Sequence, residues 1–388
     1  MDLKELLKAT GNQYASVVSD MEEPPGYLDT GSYMFNALIS GSIFKGFPIG
    51  RISMLAGPEA TGKSYFILNV IKSFLESDPR ALVVYFETES AIDKDIMAAR
   101  GIDTDRVLYI PVTTVEEFRT QCIRVLDKYL GEDLPEIDDE DDKKKKAPVK
   151  RDKEAEKNRV PLLIALDSLG MLSTNKETAD AQSGSDSRDM SRAQLIKAAF
   201  RIITLKLGRA KATLLVANHT YDQIGAGKPG MPPPQQMSGG SGGKYASSTT
   251  VYLTKKKDYD VKAKETMGNI IHCKLVKSRF TKPDRQIDVS LSYTAGLSAY
   301  YGLLDLAKDH EVLPYVAGKF DTPHGKFYVS QMMADIPRFF TPELMQKLDA
   351  AAAKEFMYGD DGPETTPVDA EPVDEAVEAP AKKNKKKE

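Results

Sequence analysis

The chain contains no tryptophan, only two cysteines and no long apolar run. The missing tryptophan decides nothing, but the other two shortages exclude whole classes of protein. Cys122 and Cys273 stand alone without metal-ligand spacing, which argues against a disulfide framework or a zinc site and fits a reducing cytoplasm. The longest apolar stretches, such as Leu162 to Leu166, are strand-sized and far short of a membrane span, and the N-terminus carries no apolar signal core. A soluble, cytoplasmic protein with no membrane partner is expected. Neither sign of charge dominates: 53 Lys and Arg against 57 Asp and Glu leave a formal net charge of −4. Nucleic-acid binding would therefore have to come from a local surface. At 388 residues and 41% hydrophobic composition, there is room for one large domain with appendages.

What is present is organised around Gly57-Pro58-Glu59-Ala60-Thr61-Gly62-Lys63-Ser64, which fills the phosphate-loop pattern G-x-x-x-x-G-K-[ST] at every fixed position. Arg51 to Ala56 reads as a buried strand before it, and Tyr65 to Leu75 as an apolar-periodic helix after it, which is the context the motif requires. Glycine at 57 and 62 lets the backbone curl its amides toward one anion, and the helix adds its positive end. Lys63 is expected to reach the β- and γ-phosphates of ATP, and Ser64 to hold Mg²⁺. A glycine-containing turn in a structural βα unit is the bland alternative.

Downstream, Ala81 to Phe86 reads as a second buried strand ending at Glu87-Thr88-Glu89-Ser90. Ligands of open α/β sheets sit at the carboxyl ends of strands, so Glu87 and Glu89 are placed to face the γ-phosphate, one of them positioning the attacking water. Solvated loop charges are the alternative. Ile92 to Arg100 reads as a helix, Val107 to Pro111 as a strand and Val115 to Leu130 as another helix. The apolar run from Val160 to Leu166 ends in Asp167, the Walker-B form, which would complete the Mg²⁺ shell with Ser64. A polar, glycine-containing loop is expected over 173–189, then a helix from Ser191 to Leu207. Thr213 to Asn218 reads as a fourth core strand with His219 at its carboxyl end. There His219 is placed to sense the γ-phosphate, although a lone histidine is otherwise more often structural.

Less regular segments complete the chain. Met1 to Ala9 has leucines at helical spacing and either docks on a neighbouring subunit or folds back on its own domain. Turn chemistry dominates from Tyr27 to Gly50. The segment 131–159 is rich in charge, has almost nothing apolar to bury, and reads as a disordered surface insertion with solvated lysines. The Pro- and Gly-rich segment 221–244 suits a nucleotide-gated binding element whose backbone amides face phosphates. Val251 to Lys257, Asn269 to Lys277 and Gln286 to Tyr293 alternate like antiparallel strands. Lys274, Lys277 and Arg279 are either an exposed basic edge or cations reaching the ATP of an adjacent subunit. Ala299 to Tyr358 reads as a small C-terminal subdomain and 359–388 as a disordered acidic tail with a basic tip.

Taken together, Gly57-Pro58 to Lys63-Ser64, Tyr85-Phe86-Glu87-Thr88-Glu89, Leu166 to Gly170, Asn175 to Thr178, Asp189 to Ala193, Asn218-His219-Thr220-Tyr221, Lys277-Ser278-Arg279 and Tyr301 to Asp305 resemble the RecA superfamily, and most of all the UvsX-type recombinases of tailed phages. The resemblance spans about Gly26 to Tyr358. It implies an α/β fold: a RecA-like P-loop ATPase core over 26–298, its mostly parallel sheet extended by antiparallel strands, with a polymerisation helix and linker over 1–25. It implies a DNA-dependent ATPase using ATP and Mg²⁺ that forms helical filaments on single-stranded DNA and exchanges strands with a homologous duplex in recombination, repair and replication. Single-strand-binding and mediator or loader proteins are the implied partners. Glu89 matches the water-activating glutamate, with Glu87 at the acidic position two before it; His219, as the γ-phosphate sensor, completes the implied catalytic set with Lys63, and Tyr65 joins the phosphate loop as a nucleotide neighbour. Segments 173–189 and 220–244 match the two DNA loops, which makes Arg188, Arg192, Lys228, Gly239, Gly240 and Lys244 the implied DNA contacts. Lys277 and Arg279 match cations that touch ATP across the subunit interface. The charged insertion, the Pro/Gly content of the second loop and His219 in place of the glutamine of bacterial recombinases are departures, the last shared with the phage branch. A ring-forming helicase motor of the same fold and a DNA-coating or mediator protein with ATP as a latch are the competing readings.

Overall fold

The structure is a computed structural model that describes residues 2–12, 14–20, 26–132, 158–184, 191–222, 235–240, 242–260, 265–294 and 296–359. Apart from its ends, the expected insertion lies outside them, as do nearly all of the tail, Arg188, Lys228 and the middle of the second loop.

Four short apolar strands form the centre: β3 (Ile52–Gly57), β4 (Leu82–Glu87), β6 (Leu162–Asp167) and β7 (Thr213–Asp222). They pair in parallel in the order β3-β7-β6-β4, with β5 (Val107–Pro111) at the β4 edge. These strands read as unbroken apolar runs because both faces of the sheet are covered. Alternate side chains divide between two cores: Val83, Tyr85, Leu163, Ala165, Leu215 and Ala217 enter one, and Val84, Phe86, Ile164, Leu166, Leu214 and Val216 the other. The first core packs against α2 (Tyr33–Ser40) and α3 (Lys63–Ser77), the second against α5 (Val115–Leu130) and α7 (Arg192–Ala210). On the other side of β3 the sheet turns antiparallel through β9 (Thr249–Asp260), β10 (Glu265–Ser278), β11 (Gln286–Ser292) and the two-residue β12 (Gly296–Leu297). This is the expected α/β architecture, a mostly parallel sheet with an antiparallel extension.

Three local readings need correction. The turn-rich approach to β3 contains α2, capped by the Ser32 hydroxyl and closed at Gly41, with Met34 to Ser40 all buried. A helix buried on every side has no polar face and hence no periodic pattern. The polar segment 173–189 is not simply a loop, because α6 (Asn175–Ser183) opens it with a capping box between Thr174 and Glu177. None of its residues is buried, so apolar spacing could not reveal it; the T-x-x-E pattern could. Finally, β7 does not stop at Asn218 but runs on to Asp222 and pairs with β8 (Gln235–Met237), giving the second loop a hairpin root.

Toward the C-terminus, α9 (Leu303–Asp309) and α12 (Pro342–Phe356) join the first core beside α2, with a small sheet of β13 (Tyr315–Val316), β14 (Lys319–Thr322) and β15 (Gly325–Phe327) between them in sequence. At the other end, α1 (Leu3–Ala9) is held by an Asp2/Glu5 capping box and buries no residue, leaving Leu3 and Leu6 exposed.

Candidate nucleotide site and loop roots

Parallel register sets the site. Glu87 lies level with Asp167, and Gly57 with His219, so the ends of four neighbouring strands converge on one edge of the sheet. Between β3 and α3 the phosphate loop turns through left-handed Ala60 (φ 55) and Gly62 (φ 90). A Cβ at Gly57 would come within 2.4 Å of the Leu253 carbonyl oxygen, so only glycine fits there. Lys63 is buried and folds over its own loop, Nζ donating to the carbonyls of Gly57 (3.0 Å) and Pro58 (2.8 Å). Burial lowers its pKa, against the pull of Asp167, Glu89 and Glu59. Thr61 Oγ1 also donates to the Pro58 carbonyl, at 2.9 Å, while Glu59 and Ala60 are exposed at the loop crest. Tyr65, in the first turn of α3, faces away toward the core rim, its ring under the Arg100 guanidinium at 4.5 Å.

Asp167 is buried and accepts hydrogen bonds from Ser64 and from the Tyr85 hydroxyl, the latter at 2.8 Å. Burial pushes its carboxyl up despite these bonds. A hydroxyl and a carboxylate side by side form a hard oxygen donor set, which fits Mg²⁺. Among the described residues no three or more His, Cys, Asp and Glu come together in a way that could hold a metal.

The two glutamates take different parts. Glu87 is buried, and its carboxylate accepts from the backbone amides of Glu89 (3.1 Å), Ser90 (2.6 Å) and Ala91 (3.0 Å) and from the Tyr109 hydroxyl. It therefore holds the turn that presents Glu89, instead of facing a phosphate. Glu89 is part-exposed and its Oε1 accepts from Ser168 Oγ at 2.6 Å and lies 3.0 Å from His219 Nε2. Burial alone would raise its carboxyl, but hydrogen bonds from His219 and Ser168 outweigh it, and the pKa falls. Thr88 staples the two strand ends: its Oγ1 accepts from the Ser168 amide at 2.7 Å, and its amide donates to the Asp167 carbonyl at 3.0 Å. Sequence reasoning assigned no role to Tyr85, Thr88 or Ser168; their one visible signal is hydroxyl side chains at the ends of Glu- and Asp-bearing strands.

The loop residues are placed less simply. Gly239 and Gly240, both left-handed, follow β8 and pack against α7, where a Cβ on Gly239 would meet Ile196 at 2.7 Å. The carbonyl of Lys244, in the short helix α8 (Gly242–Ala246), accepts from Lys277 Nζ at 2.6 Å, and that of Tyr245 does so at 2.8 Å. Lys277 is thus tied to the outgoing end of the second loop, whereas Arg279 is exposed. Arg192 spends its guanidinium on backbone carbonyls, donating from Nε to Leu172 at 2.7 Å and from Nη2 to Gly170 at 2.7 Å. Its expected role as a DNA contact therefore needs revision. Cys122 and Cys273 are buried free thiols, Cys122 pushed up by burial to about 12. No helix among the described residues is long and apolar enough to cross a membrane.

Comparison with known proteins agrees with this topology. The family profile of the RecA N-terminal domain matches residues 151–298. The chain is 28% identical over 282 residues to the recombination and repair protein of Enterobacteria phage T4, covering 71% of this chain and 61% of the phage protein. It is 24% identical over 359 residues to the RecA protein of Paenarthrobacter aurescens, covering 90% of each chain, and 24% identical over 330 residues to that of Paracoccus denitrificans, covering 82% and 80%. The chain is thus similar to RecA-type proteins over most of its length, and the Asp- and Glu-bearing strand ends lie on one side of the phosphate loop in the same sheet.

Proposed function

We propose that the protein is a DNA-dependent ATPase that assembles as a helical filament on single-stranded DNA and exchanges strands with a homologous duplex. The observation that carries this reading is the junction at His219, whose ring meets Glu89 while its backbone continues into the hairpin root of the second loop. Nucleotide chemistry and a candidate DNA loop thus share one strand. The names of the phage and bacterial relatives favour recombination over a ring-forming motor or a passive coat.

In this reading the loop amides and Lys63 take the triphosphate, Lys63 exchanging its own loop carbonyls for phosphate oxygens. Ser64 and Asp167 would hold Mg²⁺, which supplies charge neutralisation to the phosphates. Both hydrogen bonds to Glu89 fall on Oε1, so Oε2 is the oxygen that orients the attacking water and draws on its proton. Water oxygen bonds to the γ-phosphorus as the bridge to the β-phosphate breaks, releasing ADP and phosphate. His219 changes partners with the γ-phosphate and passes that change to β8. DNA held through its backbone suits a protein that accepts any sequence and leaves bases free to test homology. Segments 173–189 and 220–244 are the proposed DNA loops, and Arg279 the cation offered to a neighbour's ATP. The helix α1, with Leu3 and Leu6 exposed, is proposed to dock on the adjacent protomer.

Negative-stain microscopy with single-stranded DNA and a slowly hydrolysed ATP analogue tests this reading. Helical filaments along the DNA are expected; closed rings or bare DNA would overturn it.

A further inference from the structure

Arg192 is the first residue of α7, and the contacts of its guanidinium reach two separate segments. Nε donates to the Leu172 carbonyl at 2.7 Å, and Nη2 to those of Gly170 (2.7 Å) and Leu169 (3.2 Å). That single turn leaves the Asp167 strand and leads into α6, so it is the root of the first candidate DNA loop. Nη1 donates to Ser238 Oγ at 3.3 Å, and Ser238 follows β8 at the root of the second. Ser238 is buried and itself bound to the sensing strand: its amide donates to the His219 carbonyl at 2.9 Å and its carbonyl accepts from Asn218 Nδ2 at 3.0 Å. Gly170 closes the circuit from the other side, since a Cβ there would lie 2.8 Å from the His219 ring. His219 therefore cannot swing without meeting one loop root or pulling on the other.

We infer that Arg192 is a positioning residue that locks the roots of the two candidate DNA loops together, so that movement of His219 shifts both as one unit. This rests on the functional reading above. Arginine suits the task because its planar fork presents five donors in fixed directions, enough to span three carbonyls and a hydroxyl at once; a lysine ammonium offers three donors at one point and cannot reach both roots. With most of those donors occupied, little is left for a DNA phosphate. The latch makes loop ordering concerted, so occupancy of the nucleotide site is read by both loops together instead of by one.

The test uses full-length protein carrying Arg192→Lys or Ser238→Ala, with the wild type alongside. ATP turnover is measured with and without oligo(dT), and oligo(dT) affinity is measured across a salt series. Both variants are expected to lose about fivefold or more of the DNA stimulation ratio, the scale of a typical coupling between sites. In a third variant, Arg192→Gln, which removes the charge, the slope of log affinity against log salt should stay at the wild-type value, whereas loss of a direct phosphate contact would reduce it by about 0.7. A stimulation ratio unchanged in the first two variants, or a reduced slope in Arg192→Gln, overturns the latch. If Arg192→Lys does not fold, as judged by its circular dichroism melt, Ser238→Ala decides alone, and an unchanged ratio there is fatal to the inference. A wild type with no DNA stimulation overturns the functional reading and this inference with it, while a stimulated wild type with equally stimulated variants overturns this inference only.

Discussion

Replacing Glu87 by glutamine separates the two glutamates at the end of β4. The native carboxylate accepts three backbone amides, two on Oε2 and one on Oε1. A glutamine keeps one oxygen, so at best two of the three bonds survive, and its NH₂ then points at the Ala91 amide, a donor facing a donor. Hydrogen bonds to a charged group contribute about 1.5–3 kcal/mol each, and a stranded buried donor costs about as much. Glu87→Gln should therefore destabilise the fold by about 2–4 kcal/mol, read as a lower urea midpoint. Turnover should fall as well, about 100-fold, because the turn that aims Glu89 loosens and misplacement by about 1 Å suffices for that loss. Glu89→Gln leaves the three amides untouched, so it should nearly abolish turnover with a much smaller change in midpoint. A Glu87→Gln protein as stable as wild type would refute the assignment of Glu87 to the turn. Equal loss of turnover at unchanged stability in both variants would return Glu87 to the reacting atoms.

Four further outcomes follow from the site. Lys63→Ala should lose nucleotide binding, measured with a fluorescent ATP analogue, and unchanged affinity would remove the phosphate loop from its role. Burial raises the Asp167 carboxyl, so its charge costs stability at neutral pH; Asp167→Asn should raise the nucleotide-free urea midpoint at pH 7 while abolishing Mg²⁺-dependent turnover, and a lowered midpoint would contradict this. The Glu89 carboxyl is lowered in the fold, so its contribution is present above the ordinary value of 4.5 and lost as pH falls through the folded value. The midpoint difference between wild type and Glu89→Gln should accordingly shrink below about pH 4.5, and a difference that grows there would reverse the sign. Leu3→Ser with Leu6→Ser should leave the melting temperature unaltered, because α1 buries nothing, yet weaken assembly in sedimentation; intact assembly would remove α1 from the interface.

The central strands were legible because burial on both faces writes itself into the sequence as unbroken apolar runs, and the site because each run ends in a residue with chemistry. Val107–Pro111 and Val115–Leu130 have the bounds the sequence indicates. What stayed hidden depends on partners far away in the chain. Glu87 and Glu89 are two residues apart and chemically identical, and only the amides that fold back onto the first distinguish them. Arg192 looked like a free cation because its acceptors are main-chain carbonyls, which any residue type supplies. The β7–β8 hairpin was missed since pairing Thr220 with Met237 obeys no local pattern.

The way α5 hands the chain to β6 has a practical corollary. Gly131 ends α5 in a left-handed turn, and β6 begins at Leu162, at the end of the sheet opposite Asp167. Lys206 binds Asp127 and Glu132 on one side of that exit, and the Tyr129 hydroxyl donates to the Val160 carbonyl at 2.6 Å across it. The two ends of the passage are therefore clamped to the body of the protein on its chemically silent side. A label attached at Asn158, exposed at the described end of that passage, would accordingly sit at the end of the sheet away from the nucleotide.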